Sequence, residues 1–252
     1  PESMPASLRD LLTRQRGVAD VGFKALSDTL AADRHLPQKD GFTSKLRTHL
    51  EAVARLRSEA DPALGVGMQA RDPALVKRIP SSIKTTVEEI RLLESNLLPS
   101  HILVPGGVLT VENIQRLAWE LRDYGGRERT LLAIATATGA PIAPMSLTEA
   151  ETYAARARSA RDELVLLKDH PETPQAVRAA IDKVQATYFG TYDETRRRLL
   201  ASAATGAYGM SLDAFFAESS AALATAEELA ATAGAAAHDK ALVARDKAME
   251  AM

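Results

Sequence analysis

Apolar residues recur at steps of three and four along most of the chain, and no run of four or more residues alternates apolar with polar positions. That is the signature of amphipathic helices, and turn signals divide the pattern into seven of them. The first is predicted over 6–32, ending before Pro37, and the second over 41–60, stopped by Asp61-Pro62. A connection carrying Gly and Pro, 64–73, leads to the third at 74–98, with Pro80 inside it as a kink. Pro99 and the turn Pro105-Gly106-Gly107 break the chain. The fourth helix is predicted from a Thr110 cap to Thr138, ended by Gly139-Ala140-Pro141. A capping box of Ser146 and Glu149 opens the fifth, over 147–169. Thr173 caps the sixth, which starts at Pro174 and runs to Ala204. Gly206 to Gly209 close it, and the last helix starts at Ser211 and continues to the end of the chain.

Several of these segments exceed twenty residues, which suits an all-α, elongated up-down bundle. A repeat refines that expectation. Leu8-Arg9-Asp10, three residues, then Arg14-Gln15-Arg16 recurs as Leu121-Arg122-Asp123, three residues, then Arg127-Glu128-Arg129, an offset of 113 residues (129 − 16). Duplication predicts two stacked four-helix-type modules, 1–107 and 108–252, making one domain.

Composition agrees with helices and narrows the chemistry. Ala and Leu supply much of the 46% hydrophobic content and aromatics only 4%, so close helix packing is expected. A net charge of −2 gives no strong field toward nucleic acid, which is not expected as a partner. With no cysteine there is no disulfide, thiolate metal site or cysteine nucleophile. The five histidines, His35, His49, His101, His170 and His238, are scattered, and none follows a Glu at the three-residue spacing of a di-iron bundle. No phosphate loop and no nucleophile elbow is present, so neither enzymatic activity nor a cofactor or metal is expected. No stretch approaches the roughly 18 apolar residues of a membrane span. Helical pattern reaches close to both ends, which is the expectation for a segment cut from between flanking transmembrane helices.

The placement of charge on the helices is the most informative feature. At 100° per residue, Gln15 falls in the middle of the first helix's apolar stripe, Leu8, Leu11, Leu12, Val18, Ala19, Gly22, Leu26 and Leu30, with Arg14 and Arg16 at its edges. On the fourth helix Glu128 is central to Ile114, Leu117, Ala118, Leu121, Gly125, Leu132 and Ala135, flanked by Arg127 and Arg129. On the sixth, Arg196 shares the face of Ile181, Val184, Tyr188, Tyr192, Leu199 and Ala203, while Arg197 and Arg198 point elsewhere. An arginine entering a bundle must be paired or hydrated. Two readings stay open: a structural Arg196–Glu128 salt bridge, or an anion pocket fed by the surplus of guanidinium groups, whose planar donor fork matches an oxyanion. Trp119 is expected to pack between helices.

Gly125-Gly126-Arg127-Glu128-Arg129 with the small-residue run to Gly139 resembles the nitrate- and nitrite-sensing (NIT) domain family. So do Arg14-Gln15-Arg16-Gly17 and Tyr192 with Arg196-Arg197-Arg198, followed by Ser211-Leu212-Asp213-Ala214-Phe215-Phe216. The resemblance implies two four-helix bundles with nitrate or nitrite held by arginines between them, as the input module of chemoreceptors and related sensor proteins. It nominates Arg16, Arg129 and Arg196 as ligand-binding residues, with Arg14, Arg127 and Arg197 behind them and Gln15, Glu128 and Tyr192 beside them. Where that family's first motif often has adjacent arginines, Gln15 intervenes here. The implied setting is the periplasmic or extracellular portion of an inner-membrane receptor, a homodimer with a cytoplasmic signalling domain. Two alternatives share the length and helix content: a helical bimodular chemoreceptor domain for acetate, malate or succinate, and a structural bundle with no ligand.

Overall fold

The computed structural model describes residues 6–32, 39–67, 70–97 and 106–250. The chain is an all-α helical bundle protein, with no strand among the described residues. It divides into two compact units, Pro1–Ile102 and Leu103–Met252, against an expected boundary at 107/108.

Three helices make up the described part of the first unit: α1 (Ala6–Ala32), α2 (Lys39–Leu64) and α3 (Pro73–Leu97). α2 runs through Pro62 in its last turn rather than stopping at Asp61, and α3 is helical on both sides of Pro80. The core is thin: among the described side chains only Leu30, Leu46 and Ala60 are fully buried, while Val18, Val21, Val76 and Ile83 are exposed. The face of α1 turned to the interior carries Leu12, Arg16, Ala19, Phe23, Leu26 and Leu30. That face is rotated by about 60° from the one centred on Gln15. Gln15 and Arg14 are therefore exposed, a correction to the expected inward glutamine. α1 packs on α2, where Phe23 shares a cleft with Leu50, Val53 and Ala54, and valines 18 and 21 belong to the open side. Polar contacts tie this unit together: Arg16 pairs with Asp61 at 2.7 Å and Arg57 with Asp20 at 2.6 Å, and His49 Nδ1 lies 3.1 Å from Glu89 Oε2.

The second unit is built on α4 (Gly106–Thr138), α5 (Pro144–Lys168), α6 (Gln175–Ala186), a π-helical turn (Thr187–Tyr192), α7 (Asp193–Ala201) and α8 (Leu212–Glu250). The expected sixth helix is thus one run interrupted by the π turn. α4 packs against both α5 and α8, and its stripe from Ile114 to Ala135 is buried as the periodicity predicts. α8 meets it with Ala222, Ala226, Ala230, Ala233 and Ala237, whose small side chains let the backbones approach. Phe215, Ile114, Leu117, Leu121, Ile181 and Leu229 fill the centre, each worth about 1.5–3 kcal/mol on removal from water.

Helix ends depart from the sequence expectations in an instructive way. α4 begins a turn before Thr110, whose Oγ1 donates to the Gly106 carbonyl instead of capping. α5 begins at Pro144, with no side-chain cap from Ser146. Pro174 itself sits at the N-cap of α6, and Thr173 Oγ1 donates across the turn to the Leu167 carbonyl. α4 and α5 thus start upstream of their candidate caps, α5 with a proline at its first position, whereas α6 starts one residue later than expected. The last helix, expected from Ser211, starts at Leu212 with Ser211 as its cap: the Ala214 N–H donates to Ser211 Oγ at 3.2 Å. Gly139, with φ 60°, is the left-handed residue that stops α4, and Gly206 and Gly209, with φ 72° and 63°, shape the turn that follows the end of α7 at Ala201. No described helix is long and apolar enough to cross a membrane. Trp119 is 45% exposed and does not pack between helices: it lies on the solvent side of α4, past the edge of the buried stripe.

Candidate functional site

The second unit gathers its buried polar groups in one place. α4 presents Glu128 to the interior at 1% exposure, and the helix of α6, the π turn and α7 presents Tyr188, Tyr192 and Arg196, all buried. Arg196 Nε donates to Glu128 Oε1 at 2.5 Å, and its Nη1 donates to Asp193 Oδ1 at 3.1 Å. Burial works against the Arg196 charge, but Glu128 and Asp193 outweigh it and raise its pKa. Burial is also the largest influence on Glu128 and raises its carboxyl above the ordinary range, despite the pull of Arg196. Of the two readings left open for this arginine, the pair with Glu128 is the one the structure contains. Asp193 escaped the sequence reading, although its spacing to Arg196 and Arg197 is the helical i, i+3 and i, i+4 pattern.

Arg129, the next residue on α4, is in a different situation. Its Nη1 donates to Ser220 Oγ at 3.2 Å, and its guanidinium lies over the Phe216 ring, 5.8 Å from the centroid. Among the described residues no carboxylate stands within ion-pair distance of it. Its neighbour Arg122 has taken Glu227. Burial first, then the Arg122 charge, pull the Arg129 pKa below its ordinary value. An aromatic row continues from Phe216 through Phe215 to Tyr192 and Tyr188, with ring centroids 6.3, 6.4 and 5.5 Å apart in turn. The hydroxyls of Tyr188 and Tyr192 are buried without a hydrogen-bond partner.

The remaining candidates fall outside this cluster. Arg127 pairs with Asp123 at 3.1 Å and stacks over Tyr124 and Tyr153, 5.9 Å from each centroid. Arg197 is exposed and bonded to Asp193 at 3.0 Å. In the first unit, Arg16 is committed to Asp61 while Arg14 and Gln15 face outward. The repeat is therefore unequal: its central position is a buried Glu128 in one unit and an exposed Gln15 in the other.

Sequence reasoning missed Tyr188 as a polar group, Ser220 and Phe216 as the seat of Arg129, and the reason for Gly125. A Cβ at Gly125 would stand 2.5 Å from the Tyr188 hydroxyl and 2.8 Å from Leu223 Cδ2, so any side chain there would have to displace both. A glycine in the middle of an apolar helical stripe was the available signal for that close approach. No group of three or more metal-ligating side chains occurs among the described residues. No family model, curated protein or solved structure matches the chain.

Proposed function

We propose that this chain is a ligand-binding sensor domain for a small anion of the nitrate or nitrite class, held by arginine, with Arg129 first among the binding residues. The observation that carries the reading is the state of Arg129: half-buried, resting on a serine hydroxyl and an aromatic face, and without a carboxylate partner among the described residues. A guanidinium in that setting retains unused donors and has no carboxylate bonded to it among the described residues, and an oxyanion supplies both the acceptors and the paired charge. The resemblance to the nitrate- and nitrite-sensing family nominates the same residue. In this reading the chain is the extracytoplasmic part of a receptor that works as a dimer, and ligand binding shifts the long helices by on the order of 1–2 Å. That shift is limited by the ligand's affinity difference between the two states.

Arg196 plays a supporting part in the proposal. Its charge is balanced by Glu128 and Asp193, which favours the second reading for that residue, a structural pair in a bundle. Calorimetry with nitrate, nitrite, acetate, malate and succinate distinguishes the anion classes. Binding of nitrate or nitrite that vanishes in Arg129→Gln, with helical content unchanged, supports the proposal. Binding of the organic acids alone transfers it to the bimodular chemoreceptor class. Absence of all binding leaves a structural bundle.

A further inference from the structure

Three buried side-chain polar atoms among the described residues lack any hydrogen-bond partner: Gln185 Nε2, Tyr188 Oη and Tyr192 Oη. They are not scattered. Residues 185, 188, 192 and 196 are three, four and four positions apart on one continuous helical run, so they form a single inward stripe that ends at Arg196. Each orphaned group costs about 1–3 kcal/mol relative to a satisfied one. The ring contacts of both tyrosines would be kept by phenylalanine, so those contacts do not require the hydroxyls. The stripe also contains the π turn, a feature that in helices tends to mark functional positions.

The opposing wall is α4. Gly125 accommodates the Tyr188 hydroxyl against the helix backbone, one turn before Arg129. At this place Arg129 and Arg196 face Glu128 and Asp193; both carboxylates are bonded to Arg196, and Arg129 has none within ion-pair distance among the described residues. Burial, then the Glu128 carboxylate, push the pKa of both tyrosines up, so their hydroxyls stay protonated.

We infer that Gln185, Tyr188 and Tyr192 are neutral donors of the ligand site, extending it from Arg129 along the α6–α7 run. This deepens, and rests on, the reading of Arg129 as an anion-binding residue. The class of ligand follows from the donors. A cation would be repelled by the Arg129 guanidinium, and a monatomic halide sits at one point and cannot reach donors spaced along a helix. A small planar oxyanion offers acceptors on each of its oxygens. The close seat at Gly125 disfavours an alkyl tail, so nitrate and nitrite precede malate and succinate.

The test is calorimetry and thermal melting of the whole chain with sodium nitrate, nitrite, malate and chloride, on the wild type, Tyr188→Phe, Tyr192→Phe and Gln185→Leu. We expect nitrate or nitrite affinity to fall about tenfold in each Tyr→Phe variant, as for loss of a hydrogen bond to a charged group. The ligand-free melting temperature should stay level or rise, because an orphaned hydroxyl has been removed. Gln185→Leu should lose less, its side chain being only half-buried. Wild-type binding with unchanged affinity in both Tyr→Phe variants would overturn this inference and leave Arg129 standing. A lower ligand-free melting temperature in those variants would also overturn it, marking the hydroxyls as structural. No binding to any of the four anions by the wild type would overturn both.

Discussion

The two units treat arginine in opposite ways. In the first, Arg16, Arg57 and Arg78 reach carboxylates at the surface, Asp61, Asp20 and Glu59, where water shares the work. In the second, Arg196 meets its carboxylate in the core and Arg129 meets none. The core decides the difference. A deep interior of leucine, isoleucine, phenylalanine and alanine removes water from any charge on the inward stripe of α4 or α7. The first unit buries too little to do so. The same motif, Arg-x-Arg at matched positions of a repeat, is therefore a surface pair in one place and a candidate binding element in the other.

The largest effect that would break this contrast is loss of the buried pair. Arg196→Ala strands Glu128 in the interior and should cost about 3–5 kcal/mol, whereas Arg16→Ala should cost less than about 1 kcal/mol. Urea denaturation of the two variants, each against the wild type, measures both; equal losses would remove the distinction between the units. Glycine offers the next comparison. Gly125→Ala drives a methyl group into Tyr188 and Leu223, an overpacking of about 1–3 kcal/mol offset by roughly 1 kcal/mol of helix propensity. Gly17→Ala on α1 meets nothing within 4 Å and should stabilise by about 0.5–1 kcal/mol. Opposite signs in thermal melting are expected; a stabilising Gly125→Ala would show that the helices do not approach as closely as described.

The smallest effect is a slope with pH. Because burial raises the Glu128 pKa above 4.5, the folded protein holds that proton where the unfolded chain has released it. This group's contribution to stability therefore declines as pH rises from about 4.5 through its folded pKa. Glu128→Gln removes the titration and keeps an acceptor for Arg196. The stability of the variant relative to the wild type should rise with pH across that window, measured by urea midpoints; a difference independent of pH would contradict the assignment.

Periodicity and punctuation were enough for the helices. The 6–32 bounds of the first helix, the stop at Gly139, and the buried faces of α4 and of the α6–α7 run are written in local spacing. Those signals act within a few turns, where apolar periodicity and glycine conformation dominate. The same spacing brought Glu128 and Arg196 to inward faces and left their partnership as one of two possibilities. What it could not give was the rotation of α1, because a helix with apolar residues over a broad arc takes its orientation from its neighbour. Gln15 was assigned inward and Arg16 to the edge on that account.

Tertiary structure alone decided which charges are balanced. Ser220 and Phe216 reach Arg129 from a helix some ninety residues away in sequence, and Gly125 has meaning only once Tyr188 lies against it. Helix formation is a local competition between backbone states, whereas burial of a charge depends on everything packed around it. For that reason the amino-acid order of this protein determined its helices and their inward residues, and the fold determined which of those residues is left with an unmet demand.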